Sequence, residues 1–263
     1  MHLYSVNGTN ASYSPLQGWS NTKRYAFFAY YPLDKVSLVN LDGSKYNGGV
    51  PAIKYTMDAT NANKLKESMV DVMIAKLKKA EASSSPEMPI NLYWTSAIDN
   101  NIANGEVNLQ FEHSLSCLSV NLNKTSSASI KVTDLKLTIS NLNSSIVIPL
   151  DGEKPKPTGS IESMTFNIDL PEGGLALTTQ TELADKLILI PQDEVVVTVS
   201  VEYERKYGDT DKSPSEPFTA TLTTPLNAGT KHIIYLNFND SNVYAMTKAG
   251  SWETGPNVDH EFN

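Results

Sequence analysis

The feature that most constrains the fold is a two-residue alternation of apolar and polar side chains, which recurs through the second half of the chain. This period places every second side chain on one face of a strand, so each such segment is predicted to be a half-buried β-strand. The alternation is clean at 107–113 and 118–122. Further strands follow without a helical pattern between them, at 135–139, 146–148, 166–170, 187–190, 195–203, 218–222 and 234–238. The succession predicts antiparallel sheets packed face to face, which is a β-sandwich.

The alternation changes phase between the segments 107–113 and 118–122. A strand cannot keep one face buried through such a change unless the backbone bulges or bends. We therefore predict a β-bulge or a bend within 114–117.

The first part of the chain is less regular. An aromatic run at 25–32, which ends in proline, is predicted to be a buried strand, and 90–94 resembles another. Between them, apolar residues recur every three to four positions from 61 to 82, which is helical spacing. The turn-rich stretch 99–105 is the best candidate for a domain boundary. With 263 residues available, we predict an N-terminal β domain at 1–106, with a helix possible at 61–82, and a C-terminal β-sandwich at 107–263.

Composition excludes some functions. The formal net charge is -8 and lysine and arginine do not cluster, so the basic surface that binds nucleic acid is not expected. No apolar stretch reaches the ~20 residues that span a bilayer, and the first residues do not resemble an export signal. If the protein is exported, we expect its signal segment to precede Met1.

The residues that usually carry catalysis are few and scattered. The four histidines are His2, His113, His232 and His260. His113 falls on the apolar phase of a strand and is predicted to be a hydrogen-bonded histidine at the core or its edge, whereas His232 precedes a strand and is predicted to lie at the surface. The single cysteine, Cys117, lies among alternating apolar residues, so a buried and inert thiol is expected.

The spacings typical of metal and phosphate sites are missing from the sequence, including HExxH, CxxC, GxGxxG and the P-loop. Glu204, Asp209 and Asp211 crowd one loop, but they do not match the EF-hand and are interpreted as solvated acids. Gly173 and Gly174 indicate a turn. The sequence therefore predicts no catalytic, cofactor or metal site, and the protein is predicted not to be an enzyme.

The three tryptophans, Trp19, Trp94 and Trp252, are dispersed along the chain. Each is interpreted as a packing residue rather than as a platform for stacking a sugar. Arg24 could be a protease cleavage site before the aromatic strand, but a surface or packing role is favoured.

Four segments, in order along the chain, are similar to motifs of the Bacteroidales fimbrillin family, the Mfa-like subunits of type V pili. The segment 27–32, FFAYYP, resembles an FxAYYP strand, and 107–116, VNLQFEHSLS, resembles a V-x-L-x-F-x-H-x-L-S segment. The segment 189–192, LIPQ, resembles an L-[IV]-P-Q segment, and 229–238 followed by 250–255 resembles a glycine-led last strand with a terminal W-x-x-G. The segment 71–75 also resembles a family segment that is usually extended, although its periodicity favours a helix.

The resemblance implies a mainly β protein made of two transthyretin-like Greek-key β-sandwich domains, the first of them reduced. It also implies a lipoprotein precursor exported to the outer membrane, whose lipidation segment would precede Met1. Its partners would be other pilus subunits, joined by donation of a β-strand into an open sheet edge. The segment 242–252 is a candidate for a donor or terminal strand.

The resulting hypothesis is a structural, non-catalytic subunit of a cell-surface fimbria, at the stalk or the tip, that supports cell adhesion. One alternative is an adhesin module that binds a carbohydrate or a host ligand without polymerising. A second alternative is a secreted glycan-processing enzyme, which would need two carboxylates close together in a cleft.

Overall fold

The computed structural model describes residues 5–7, 10–12, 24–26, 28–77, 94–96, 109–208, 211–213 and 217–252. These residues form one helix, α1 (Ala62–Ser68), and a series of strands, which are numbered in chain order. The strands are β1 (Ser5–Asn7), β2 (Asn10–Ser12), β3 (Arg24–Ala26), β4 (Ala29–Tyr31), β5 (Val36–Val39), β6 (Ala52–Thr56), β7 (Met73–Leu77), β8 (Trp94–Ser96), β9 (Leu109–His113), β10 (Ser116–Lys124), β11 (Ser129–Leu142), β12 (Ser145–Pro149), β13 (Lys156–Thr158), β14 (Ile161–Asn167), β15 (Leu175–Leu177), β16 (Gln180–Leu189), β17 (Gln192–Tyr207), β18 (Asp211–Ser213), β19 (Phe218–Leu226), β20 (Thr230–Phe238) and β21 (Val243–Ser251).

Two sheets form a β-sandwich, which confirms the predicted mainly β fold. One sheet has the order β16-β10-β20-β21, and the other has the order β14-β11-β17-β18, with β15 also paired to β11 and β19 to β17. Their facing sides are built from alternate residues. On β17 these include Val197 and Val199, and on β20 they include Ile234 and Leu236, all of which are fully buried. The two-residue period therefore determines which side of each strand enters the core.

One pairing differs from the predicted antiparallel arrangement. β10 and β20 run parallel, in register from Cys117↔Lys231 to Lys124↔Phe238. Strands that follow one another without helices favour antiparallel pairing, because short hairpins between them enforce opposite directions. β10 and β20 are far apart in sequence, and the other sheet of the sandwich is formed by the chain between them, so the hairpin constraint does not apply.

The structure joins strands from both sides of the predicted domain boundary. β6 pairs with β12 in a four-stranded sheet with the order β13-β12-β6-β5. Ile53 and Tyr55 of β6, together with Leu65 of α1, belong to the same buried cluster as the sandwich residues. The boundary stretch 99–105 lies outside the described residues, so the division into 1–106 and 107–263 stays a prediction.

The helix predicted over 61–82 is much shorter than its periodicity suggested. α1 starts after Asn61, whose side-chain oxygen accepts a hydrogen bond from the Lys64 N–H, and it ends at Ser68 because Met69 has an extended backbone. The chain then forms β7, which pairs with both β4 and β9. The prediction was wrong for β7. A short apolar run can show helical spacing and still form a strand, and here the pairing with neighbouring strands decides for the strand. Residues 78–82 lie outside the described residues.

The predicted bend within 114–117 is confirmed. β9 belongs to the three-stranded sheet β4-β7-β9, whereas β10 belongs to the sandwich. The chain bends at Leu115, which is fully buried. The change of phase therefore marks the place where the chain passes from one sheet to another, rather than a bulge within one strand.

Candidate functional site

The segment 242–252, predicted to be a donor or terminal strand, contains β21. This strand pairs with β20 over nine residue pairs, from Thr230↔Ser251 to Phe238↔Val243, and is an edge strand of its sheet. Within the part of the chain that the structure describes, no strand pairs with its other edge. An edge strand presents backbone N–H and C=O groups that another strand can pair with.

The side chains of β21 that face the sandwich core are small. Ala245, Thr247 and Ala249 lie opposite the core residues Leu236, Ile234 and His232 of β20, yet Ala245 and Thr247 are only half-buried and Ala249 is exposed. On the other face of the strand, Tyr244 and Met246 are 47% and 49% exposed. β21 therefore covers the core residues of β20, while its own core-facing side chains stay partly exposed.

The opposing sheet has a similar edge at β19, which pairs with β17 and lies close to β21. Its core-facing residues Phe218, Ala220 and Leu222 lie opposite buried valines of β17 but are themselves only half-buried. We call the core-facing residues of β19 and β21 together the open side of the sandwich. Two strand edges whose core-facing side chains are partly exposed are features that an added strand recognises, because backbone pairing and side-chain burial occur together.

The turn before β21 is held firmly. The carboxylate of Asp240 accepts hydrogen bonds from the Ser126 hydroxyl at 2.7 Å and from the Ser127 backbone N–H at 2.7 Å. These hydrogen bonds lower the pKa of Asp240, and the one from the Ser126 hydroxyl contributes most. The backbone oxygen of Asp240 accepts two more hydrogen bonds, from Arg205 at 2.7 Å and from the Tyr207 hydroxyl at 2.8 Å. The start of β21 is thus fixed to the connection between β10 and β11 and to β17.

The end of β21 is held by an aromatic contact. Trp252, the residue after the strand, stacks on the His113 ring with centroids 4.2 Å apart and planes 3° from parallel. His113 Nδ1 lies 2.9 Å from Asp71 Oδ1, and the His113 side chain is 11% exposed. This confirms the prediction of a hydrogen-bonded histidine at the edge of the core and the packing role of Trp252. Trp94 lies on β8, and Trp19 lies outside the described residues.

His232 corrects a prediction, because it is buried (1% exposed) rather than at the surface. It lies on the core-facing side of β20, and its Nε2 accepts a hydrogen bond from the Asn227 N–H at 3.1 Å. Burial lowers the pKa of His232 below its ordinary value. An acceptor role for Nε2 requires the neutral ring.

The other candidate residues that the structure describes do not assemble into a reactive centre. Cys117 is fully buried, as predicted, and burial raises the pKa of its thiol. Glu204 lies on β17 opposite Lys131, Asp211 begins β18, and Asp209 lies outside the described residues. In the described ranges, no group of three or more histidine, cysteine, aspartate or glutamate side chains is placed to hold a metal ion. Gly173 and Gly174 form the predicted turn, in which the Gly174 N–H donates to the Pro171 oxygen.

The fold and the open side define a β-sandwich protein that presents sheet edges. The model of the fimbrillin-like family matches residues 2–252. The chain therefore belongs to the fimbrillin-like family, which makes it a pilus-related adhesion protein of the cell surface. Among the described residues, no helix is long and apolar enough to cross a membrane.

Solved structures share this fold. A fimbrial protein from Bacteroides vulgatus ATCC 8482 is 17% identical and superposes with a TM-score of 0.60, covering 95% of this chain and 84% of that one. A proposed cell adhesion protein from Bacteroides ovatus ATCC 8483 is 15% identical, with a TM-score of 0.50 over 96% of this chain and 75% of that one. At these identities the likeness shows the fold alone. A search of curated proteins finds no match.

Proposed function

We propose that the chain is a structural, non-catalytic subunit of a cell-surface fimbria, at the stalk or the tip, and that it joins its neighbours by β-strand donation. The observation that supports this proposal is the open side of the sandwich. There β19 and β21 present two neighbouring strand edges, and the core-facing residues Phe218, Leu222 and Ala245 remain only half-buried. A strand from a second copy would pair with one edge and cover these side chains.

Strand donation between identical copies is a head-to-tail contact, because the donor and the acceptor are different surfaces of the same chain. Such contacts do not close on themselves unless their rotation generates a ring, so they build filaments. The energy comes from two sources. Backbone N–H and C=O groups at the edge gain hydrogen-bond partners. Burial of apolar side chains contributes about 25 cal/mol of favourable free energy per Å² of apolar surface removed from water. In this proposal the subunit reaches the outer membrane as a lipoprotein precursor.

Limited trypsin treatment followed by negative-stain microscopy and size analysis tests the proposal. Cleavage that removes a strand should leave an unpaired groove, so the treated protein is expected to form ladders or filaments while the untreated protein stays small. A stable monomer before and after cleavage would contradict strand exchange and would favour an adhesin module that does not polymerise.

A matched pair of variants locates the contact. Leu222 faces the open side, whereas the neighbouring Thr221 lies on the opposite, exposed face of β19. Leu222→Glu places a charge where the incoming strand would be buried, so it is expected to block filaments. Thr221→Glu adds the same charge to the same strand and is expected to leave assembly intact. Equal assembly by both variants would exclude the open side as the contact.

A further inference from the structure

The two ends of β21 are attached by different means. At its start, the Asp240 turn is held by hydrogen bonds from Ser126, Ser127, Arg205 and Tyr207, and Val243 is buried. Along the strand, the core-facing side chains are small and incompletely covered. At its end, the large side chain of Trp252 rests on His113. The stack therefore supplies an aromatic attachment at the C-terminal end of the strand.

The stack joins parts of the chain that are distant in sequence. His113 belongs to β9, in the three-stranded sheet β4-β7-β9, and its ring is oriented by the contact of Nδ1 with Asp71, which follows α1. Trp252 follows the edge strand of the sandwich. The histidine of one fimbrillin-like motif and the tryptophan of another thus form one contact with ring planes 3° from parallel.

The closed stack contains an unfavourable element. Within the described part of the chain, His113 Nε2 is buried and finds no hydrogen-bond partner. A buried polar atom without a partner loses its hydration and gains nothing in return. The stacked arrangement therefore holds Trp252 in place, yet it is weaker than the same contact made by a purely apolar ring.

We propose that Asp71, His113 and Trp252 form a terminal latch that keeps β21 paired with β20 in its own subunit, and that opening of this latch precedes exchange of β21 into a second copy of the chain. The second step rests on the proposed function. Because the start of β21 is fixed, opening begins at the Trp252 end and proceeds toward Val243. The partner is then a second copy that offers an unpaired strand edge beside an uncovered core.

The test measures amide hydrogen exchange of the full chain in three variants. Trp252→Ala removes the stack and is expected to accelerate exchange of the β21 amides about tenfold. The acceleration is expected because the variant loses both the stacking energy of the aromatic pair and the burial of the indole ring. Trp252→Phe keeps a smaller ring and should have a weaker effect. His113→Phe keeps the stack and removes the orphaned nitrogen, while Asp71 is partly exposed and can regain water; β21 should exchange at the wild-type rate or more slowly. Exchange in β11 is the internal reference.

Some outcomes would overturn the latch. One is an amide exchange rate of β21 that does not change in Trp252→Ala. Another is an equal acceleration of amide exchange in β11, which would indicate a general loss of stability. Amide exchange of β21 that is as fast in His113→Phe as in Trp252→Ala would also contradict the latch, because the phenylalanine ring preserves the stack.

Filament assays on the same variants separate the latch from the proposed function. If both are correct, Trp252→Ala assembles faster than the wild type. Faster exchange without filaments in any variant would support the latch and contradict assembly by strand donation. Filaments that form equally in the wild type and in Trp252→Ala, with unchanged exchange, would support strand donation and overturn the latch.

Discussion

At the scale of single residues, His232 couples the sandwich core to pH. Its Nε2 accepts the Asn227 N–H, and burial lowers its pKa below the ordinary value of 6.5. The unfolded chain therefore binds the proton more readily than the folded chain. The stability that the neutral ring provides is complete above about pH 6.5 and is lost as the pH falls from that value through the lower folded pKa.

His232→Gln should reduce this pH dependence. Glutamine retains an oxygen that can accept the Asn227 N–H but does not titrate. In urea unfolding experiments at about pH 7.5 and about pH 5, on either side of the ordinary histidine pKa, the wild type is expected to lose more unfolding free energy on acidification than the variant does. The other titratable groups are present in both proteins, so their contributions cancel in the comparison. Equal losses in the two proteins would show that His232 does not titrate in this range.

The wrong prediction for His232 has a simple cause. Ile234, Leu236 and Phe238 established the alternation of the last long strand, and position 232 continues the same phase by one step. Because position 232 precedes the alternating run at 234–238, it is predicted to lie at the surface, whereas β20 begins at Thr230 and includes it. His113 was predicted correctly because apolar residues flank it in phase. Its partners Asp71 and Trp252 could not be predicted, since each is distant in sequence.

At the scale of secondary-structure elements, α1 is short enough for its first turn to matter. A helix of 7 residues gains little from propensity alone, and the Asn61 side chain provides a partner for the Lys64 N–H at 3.0 Å. Asn61→Ala is expected to lower the unfolding free energy by about 1 kcal/mol, measured by chemical denaturation. Asn61→Asp keeps an acceptor and should be close to the wild type. An equal loss in both variants would mean that the cap does not contribute.

The strands were more predictable than the helix, because their period repeats over many residues and is bounded by turns. Segments such as 195–203 and 234–238 lie within strands of the sandwich. The region after α1 was not predictable from local pattern. Val72 and Ile74 are compatible with the spacing of a helix and with that of a strand. Only the pairing of β7 with β4 and β9 decides between the two structures. The open side could not be derived either, since it depends on which strands end at the edges.

At the scale of the whole molecule, one buried cluster extends from α1 and β6 into the sandwich. Leu236→Ala, in the centre of the sandwich, should lower the unfolding free energy by about 2–5 kcal/mol. Because β6 packs into the same cluster, we expect amide exchange in β6 to accelerate together with exchange in β20. Hydrogen exchange detected by mass spectrometry measures both. An unaffected β6 would instead support independent folding of the two predicted domains.

The β20–β21 hairpin also has a mechanical consequence for a subunit in a fibre under tension. β21 runs antiparallel to β20, so its last residue lies beside the first residue of β20, Ser251↔Thr230. A pulling force along the strand axis would shear all nine residue pairs at once. A force directed away from the sheet would instead peel them apart one pair at a time from Ser251. The load that this edge resists therefore depends on the angle at which the fibre is pulled.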